Sequence, residues 1–516
     1  MINFFYQSLS KFFYLQLLRL SPKIYKYSSF KDLSFKQNDF VNYKAVKHYV
    51  LKENFINSSA ISDIHTFDFL SFYQKLGGKR GIELSKKNIF LWFRKFKYEK
   101  NFPWSDDYAS KRLVNLIYNY DFICSILEHK EINFLNYILN FHIKRIMFDL
   151  KRKDIENTSS FEVLALLLID CRKNNLNKNV LKKIENIILT QVDENSMHKS
   201  YNLLEHAKFL NNLIEIRNIF LFFDYEIPNI LNRNILSMTS ILKSYVHEDL
   251  SLPLFNGCNN NHNKSIQKIY EKEQFIINKD FQNFKNGIAV FKGSQKTLFF
   301  DVVQPSKFMY QKDLSAGTLS IEFSSEGEKI ITNCGGTEIL GKNPEYLKYS
   351  AAHSTIIVNN TNISEINEEN SKKNFPKEVF FESKKDDKEY VLSATHNGYV
   401  VNYKKICKRS LIINLEKEFI SGEDTIISTK SNVEKIVYHI RFHLMPEIST
   451  TITESKKNII IRTKKNKMWL FKSNREIMIE KSIYVKNDRA IETSQIVISG
   501  ITSSLRDKIK WSLEKI

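Results

Sequence analysis

A chain of 516 residues is longer than one hydrophobic core ordinarily supports, so two or three domains are expected, and 42% hydrophobic with 13% aromatic residues can fill their cores. The formal net charge of +20 fits either a generally basic solvated surface or an acidic partner such as nucleic acid, anionic lipid or an acidic polysaccharide. No compact Arg-rich helix, zinc-finger spacing or aromatic RNA-binding motif concentrates that charge, which argues against nucleic acid, and the scattered Cys124, Cys171, Cys258, Cys334 and Cys407 argue against a disulfide framework or a cysteine zinc site.

Residues 1–59 form a lead-in whose first part, "MINFFYQSLSKFFYLQLLRLSPKIYKY", is apolar and basic but interrupted by Gln7, Lys11, Gln16 and Arg19. Without an unbroken apolar core or a small-residue cleavage site, it reads as an amphipathic helix rather than an export signal. No other stretch approaches the roughly 20 apolar residues that cross a bilayer, so no transmembrane segment is expected. From 60 to 255 the apolar spacing is helical: Leu135, Ile138, Leu139, Ile143, Ile146 and Leu150 step by three and four, as do Leu203, Ala207, Leu210 and Ile214. Helical hairpins packed in series follow, as a solenoid or a closed or partly closed α/α toroid. The Asn-rich region at 256–274 reads as an interdomain linker.

From 275 to 516 the period changes to two. "GIAVFKG", "TLFFDVV", "TLSIEFS", "STIIVNN", "KRSLIINL", "DTIISTK", "NIIIRTK" and "SQIVISG" are short strands separated by turn residues, the pattern of an antiparallel β-sandwich. Thr318 to Ser324 alternates apolar Leu319, Ile321 and Phe323 with polar residues. Glu326-Gly327 then reads as a turn into Ile330 and Ile331, before the glycine pair Gly335-Gly336. His439, Arg441 and His443 share one strand face by the same period. Arg441 between the histidines disfavours a cation there and favours a carboxylate-binding or hydrogen-bonded row. No GxSxG, P-loop or HExxH is present.

The series "AGTLSIEFSSEGEKIITNCGG", "YSAAHSTIIVNN", "THNGYVVNYKKICKRSLIIN", "SGEDTII", "HIRFHLMPEI" and "SQIVISG" resembles, in that order, the heparinase II/III-like family. "PWSDDYASKRLVNLI", "DENSMHKSYNLLEHAKFLNNLIEIRN" and "LPLFNG" extend the resemblance into the helical half. It implies an α/α toroid followed by an antiparallel β-sandwich and β-elimination of uronate-containing acidic polysaccharides or oligosaccharides. That reaction needs a group to neutralise the carboxylate, a Tyr or His base and an acid for the leaving oxygen.

Many family members carry an HxHxD-like run before the Ala-Gly pair, with a catalytic histidine and metal ligands. Aligned on Ala316-Gly317, this chain has Gln311, Asp313 and Ser315 there, so no metal and no other cofactor is expected. His198, Tyr201 and His353 are the catalytic candidates by resemblance, with Asn195, Asn256, His396 and Arg441 as substrate-binding candidates. Each also has a structural reading: Asn195 or Ser196 as a helix cap, Asn256 and His396 as turn residues, His353 as a buried hydrogen-bonded histidine. The alternatives are a non-catalytic glycan-binding protein that kept the fold and a nucleic-acid binder acting through charge. The missing export signal points to the cytoplasm and the resemblance to the periplasm or cell envelope; oligomeric state is open.

Overall fold

The structure is a computed structural model that describes residues 62–99, 102–150, 158–172, 176–259, 263–273, 287–293, 295–304, 314–336, 344–365, 375–431, 434–487 and 489–516. The expected N-terminal amphipathic helix, Gln311 and Asp313 lie outside them. By internal packing the chain divides into two units, one ending at Thr190 and including Phe209–Ile235, the other made of Gln191–Lys208 and Leu236–Ile516.

The first unit is helical. Gly78–Phe96 buries Ile82, Ile89, Trp92, Phe93 and Phe96 along one stripe, and His129–Leu150 buries Leu135, Ile138, Leu139 and Ile146 at the expected spacing. Fully burying each such side chain is worth about 1.5–3 kcal/mol. Arg112, from Asp106–Tyr118, is stacked between Trp92 and Trp104 at 3.9 and 4.5 Å from the ring centres, and its Nη1 donates to the Pro103 carbonyl at 2.8 Å. The "PWSDDYASKR" motif is thus a packing device of this unit.

The second unit is built on two antiparallel sheets. The strands are β1 (Gly287–Gly293), β2 (Lys296–Val302), β3 (Ile321–Ser325), β4 (Glu328–Thr332), β5 (Ile356–Val358), β6 (Val379–Lys385), β7 (Glu389–His396), β8 (Lys405–Asn414), β9 (Phe419–Ser428), β10 (Val437–Leu444), β11 (Ser449–Ile452), β12 (Asn458–Arg462), β13 (Met468–Ser473), β14 (Ile477–Lys486), β15 (Arg489–Ile501) and β16 (Arg506–Lys515). The first sheet runs β1-β2-β3-β4-β10-β15-β14, with β5 also on β10. The second runs β11-β12-β13-β16-β9-β8-β7-β6. Phe300, Ile321, Phe323, Ile440 and Phe442 of the first share one core with Leu411, Ile413, Trp469, Phe471 and Trp511 of the second. Phe442 meets Trp511 edge-on at 4.7 Å.

Burial alternates strictly along β8, whereas β2, β3 and β5 are buried on both faces, and the start of β3 departs from the expected pattern. β3 begins at Ile321 rather than Thr318, because Leu319 adopts a left-handed backbone (φ 63°) and its N–H reaches the Asp301 carbonyl at 2.9 Å. Leu319 is nonetheless fully buried. Glu326 and Gly327 both have positive φ, 49° and 73°, the two-residue turn that lets β3 pair with β4. Within 256–274, read from sequence as a linker, Asn256 and Cys258 are buried and Asn263–Lys272 is a helix that buries Ile266 and Ile269. One apolar residue per turn suffices to dock it.

Candidate active site

The loop between the helices Lys178–Gln191 and Leu203–Phe222 is organised by Asp193. Its Oδ1 accepts the backbone N–H groups of Asn195 at 2.9 Å and Met197 at 2.8 Å. Ser196 and Tyr201 take left-handed backbones, φ 66° and 50°. The helix cap is Asn202, whose Oδ1 accepts from Leu204 at 2.9 Å and Glu205 at 3.2 Å, so neither Asn195 nor Ser196 fills that place. The Tyr201 phenol donates to the Asp193 carboxyl. Burial, then the Asp193 charge and hydrogen bond, push the phenol well above its ordinary range, so it is protonated at neutral pH. The charge of Asp301 on β2 also bears on Tyr201, and burial pushes that carboxyl up to about 7.

Asn256 ties this loop to the β-sheet. Its carbonyl accepts from Asn202 Nδ2 at 2.9 Å, its Nδ2 donates to the Tyr201 carbonyl at 3.3 Å, and its Oδ1 accepts from the Ser315 N–H at 3.1 Å. The turn reading of Asn256 fits its φ of 51° beside Gly257 at 78°. Both ends of its amide are occupied by backbone, so it positions rather than reaches outward. From Ser315 the chain passes through Ala316, whose carbonyl accepts from Ser350 Oγ at 2.7 Å, to Gly317. A Cβ on Gly317 would lie 2.6 Å from His353 Cδ2, so the imidazole occupies the space a side chain would take. His353 Nδ1–H donates to the Tyr349 carbonyl at 2.9 Å, which leaves Nε2 as the acceptor. Burial lowers its pKa to about 4, against that hydrogen bond, so the ring is neutral at pH 7.

Glu322 of β3 anchors the segment ahead of Asn256. Oε1 accepts from Leu254 N at 3.0 Å, Asn333 N at 3.0 Å and Thr332 Oγ1 at 3.1 Å; Oε2 meets Lys329 Nζ at 2.9 Å and His247 Nε2 at 3.1 Å. Burial alone would raise this carboxyl, but Lys329 and His247 outweigh it and hold it at about 2. The network is completely satisfied on the carboxylate side, the condition under which a buried charge is tolerable. Its role is to hold Leu254, and through it Asn256, against the sheet.

Residues 278–512 match the family model described as "Heparinase II/III-like, C-terminal". That span is similar to the C-terminal domain of the heparinase II/III-like family. Among solved structures, a heparinase III superposes with a TM-score of 0.69 at 10% identity, covering 87% of this chain and 76% of that one. A heparan sulfate lyase from Pedobacter heparinus gives 0.61 at 13% identity, covering 90% and 77%. A chondroitin AC lyase from Streptomyces coelicolor A3, in complex with chondroitin sulphate, gives 0.54 at 6%, covering 97% and 82%. No curated protein matches by sequence. At such identities the likeness establishes the fold: an α/α toroid followed by an antiparallel β-sandwich, as in these polysaccharide lyases.

The loop before the β-sheets and the segments at 315–317 and 349–353 therefore bring the Tyr201 carbonyl, Asn256, Ser315 and His353 onto one continuous hydrogen-bonded frame. Asn195 borders it on the same Asp193-organised turn. His198 is buried and shares a 2.8 Å hydrogen bond with Ser200 Oγ. His396 ends β7 in the second sheet, where its Nδ1 accepts from Gly398 N at 3.1 Å, the geometry of a turn residue. Arg441 lies with His439 and His443 on one face of β10, as the period implied, and its Nη1 bonds Glu480 Oε2 at 2.8 Å. Its carboxylate is thus supplied by the protein. The family's metal ligands do not fit this donor set: Ser315 stands at the acid's position, and no group of three His, Cys, Asp or Glu is arranged for a metal among the described residues. Among the described residues, no helix is long and apolar enough to cross a membrane. Asp193, Asp301 and Glu322 escaped the sequence reading, since a lone acid in a polar loop or strand carries no spacing signal.

Proposed function

We propose that the protein is a polysaccharide lyase that cleaves a uronate-containing acidic glycan by β-elimination. The observation that carries this reading is the hydrogen-bonded frame that ties the Tyr201 backbone, through Asn256 and Ser315, to the His353 segment, with the imidazole neutral and the phenol protonated. His353 Nε2 takes the C5 proton of the uronate, the electron pair forms the C4–C5 double bond, the C4–O bond breaks, and Tyr201 O–H protonates the leaving oxygen. Asp193, hydrogen-bonded to the phenol, orients it. Ser315 Oγ, on a residue only 8% exposed and unpaired among the described residues, is the donor available to a substrate carboxylate. A net charge of +20 draws in a polyanion. No metal is assigned a part in the reaction.

Heparan sulfate and chondroitin sulphate, which the similar lyases are named for or hold, set the first panel. Elimination produces an unsaturated uronate that absorbs in the ultraviolet, whereas hydrolysis produces reducing ends without it. Absorbance growth in step with new reducing ends supports the lyase. The replacement of the family's HxHxD run by Gln311, Asp313 and Ser315 favours a second reading, a glycan-binding protein without turnover. Binding to the same glycans with neither product is its signature.

A further inference from the structure

Arg409 and Asp424 are directly opposite on β8 and β9 of the second sheet, and both side chains are completely buried. Their pairing is bidentate: Nε to Oδ1 at 2.6 Å and Nη2 to Oδ2 at 3.1 Å, with Trp511 Nε1 also donating to Oδ2 at 3.0 Å. Such a pair needs no further partner for stability, and an apolar pair would often serve a core as well. Arg409 nevertheless reaches the first sheet, where Nη1 donates to the Leu319 carbonyl at 2.8 Å and to the Ser354 carbonyl at 2.7 Å. These are the two segments that carry the Gly317–His353 contact. Leu319 is held in a left-handed backbone that a leucine adopts only under constraint, and Ser354 directly follows His353. Further bonds converge on the same point: Ser354 N reaches Asn333 Oδ1 at 2.8 Å, and Thr355 Oγ1 donates to the Thr318 carbonyl at 2.6 Å.

We infer that Arg409 is a positioning residue of the candidate active site, a strut across the sandwich core, seated on Asp424 and Trp511, that sets His353 against Gly317. The inference rests on the assignment of His353 to the site. The strut explains why "KRSLIIN" and "SGEDTII" each carry a charge, Arg409 and Asp424, at an inward position where an apolar residue would fit the pattern. A lysine at 409 keeps the charge beside Asp424 but has no planar fork to serve the carboxylate and two carbonyls together.

The test is histidine-selective NMR on the full chain, read as the titration of His353, with hydrogen exchange over 314–325 and 349–358. The charged and titratable groups bearing on His353 are Glu322 and His443, and both are left in place. In Arg409→Lys we expect the His353 titration to move upward by a unit or more toward the ordinary histidine value and exchange in both segments to rise at least tenfold. His65, in the helical unit, is the fixed reference. Because Arg409→Lys leaves a buried charge less well matched, Arg409→Met/Asp424→Asn is the second variant; it removes both charges and should give the same local response. An unmoved His353 in either folded variant overturns the inference. So does a uniform loss of protection in which the more distant His396 and His198 shift with His353, for Arg409 is then a general core residue. The readout needs no turnover, so failure of the lyase reading in the glycan assays leaves it intact.

Discussion

Gly317→Ala tests whether the imidazole of His353 is seated on bare backbone. The added Cβ would come within 2.6 Å of His353 Cδ2 and 3.2 Å of Nε2, where ordinary contact begins at 3.4 Å, so the ring must retreat by about 0.8 Å. It has little room, being bonded to the Tyr349 carbonyl and only 3% exposed. Overpacking of this kind costs about 1–3 kcal/mol. Gly317 is not among the positive-φ glycines, so the lower chain entropy of alanine returns about 0.4–1 kcal/mol. The net is a destabilisation of about 1–2 kcal/mol. In a His353→Ala background the obstruction is gone and the sign reverses: Gly317→Ala becomes neutral or stabilising by about 0.4–1 kcal/mol. The coupling between the two positions is therefore about 2 kcal/mol, close to thirtyfold in a local opening equilibrium. Hydrogen exchange of peptides covering 314–325 and 349–358 measures it without requiring the whole chain to unfold in one step. Additive effects, with Gly317→Ala equally harmful in both backgrounds, would refute the seating of His353 on Gly317.

Glu322→Gln should destabilise by about 3–5 kcal/mol, because Lys329 loses the carboxylate that neutralises it in a buried site, His247 being kept neutral there by burial, whereas Glu326→Gln, which removes ion pairs to Lys467 and Lys515 at the surface, should cost under about 1 kcal/mol; thermal melts of the two decide. Stability should fall as pH drops from about 6.5 to 4: His198, His206 and His353 are held neutral by burial with folded values of about 4, so the unfolded chain binds more protons across that window. Each contributes up to about 3 kcal/mol, and a denaturation midpoint that is flat between pH 7 and 4.5 contradicts their burial. On a glycan that is turned over, Tyr201→Phe should lower the rate by about 10² to 10⁴ with the fold retained, as circular dichroism and product absorbance would show. The wild-type rate should stay level from about pH 5 through the ordinary tyrosine range, since His353 is neutral above about 4 and the Tyr201 phenol titrates above its usual value.

The amino-acid sequence by itself determined the parts that depend on neighbours a few residues away. The change from period 3.6 to period two separated helices from strands, Glu326-Gly327 announced its turn, and alternation placed His439, Arg441 and His443 on one face. The resemblance named Tyr201, Asn256 and His353 as candidates, without the contacts each one makes. Those contacts were decided by the tertiary structure. Asn256 reaches Tyr201 across 55 positions, Glu322 holds Leu254 across 68, and Arg409 holds Leu319 across 90. A period records which face of an element is buried, because burial repeats with the geometry of the element. It does not record which polar group waits on the other side of the core, because that partner is set by how two sheets and a distant loop pack. Hence Leu319 read as a strand residue, while its left-handed backbone and its bond to the Asp301 carbonyl put the start of β3 at Ile321 and its own carbonyl meets Arg409.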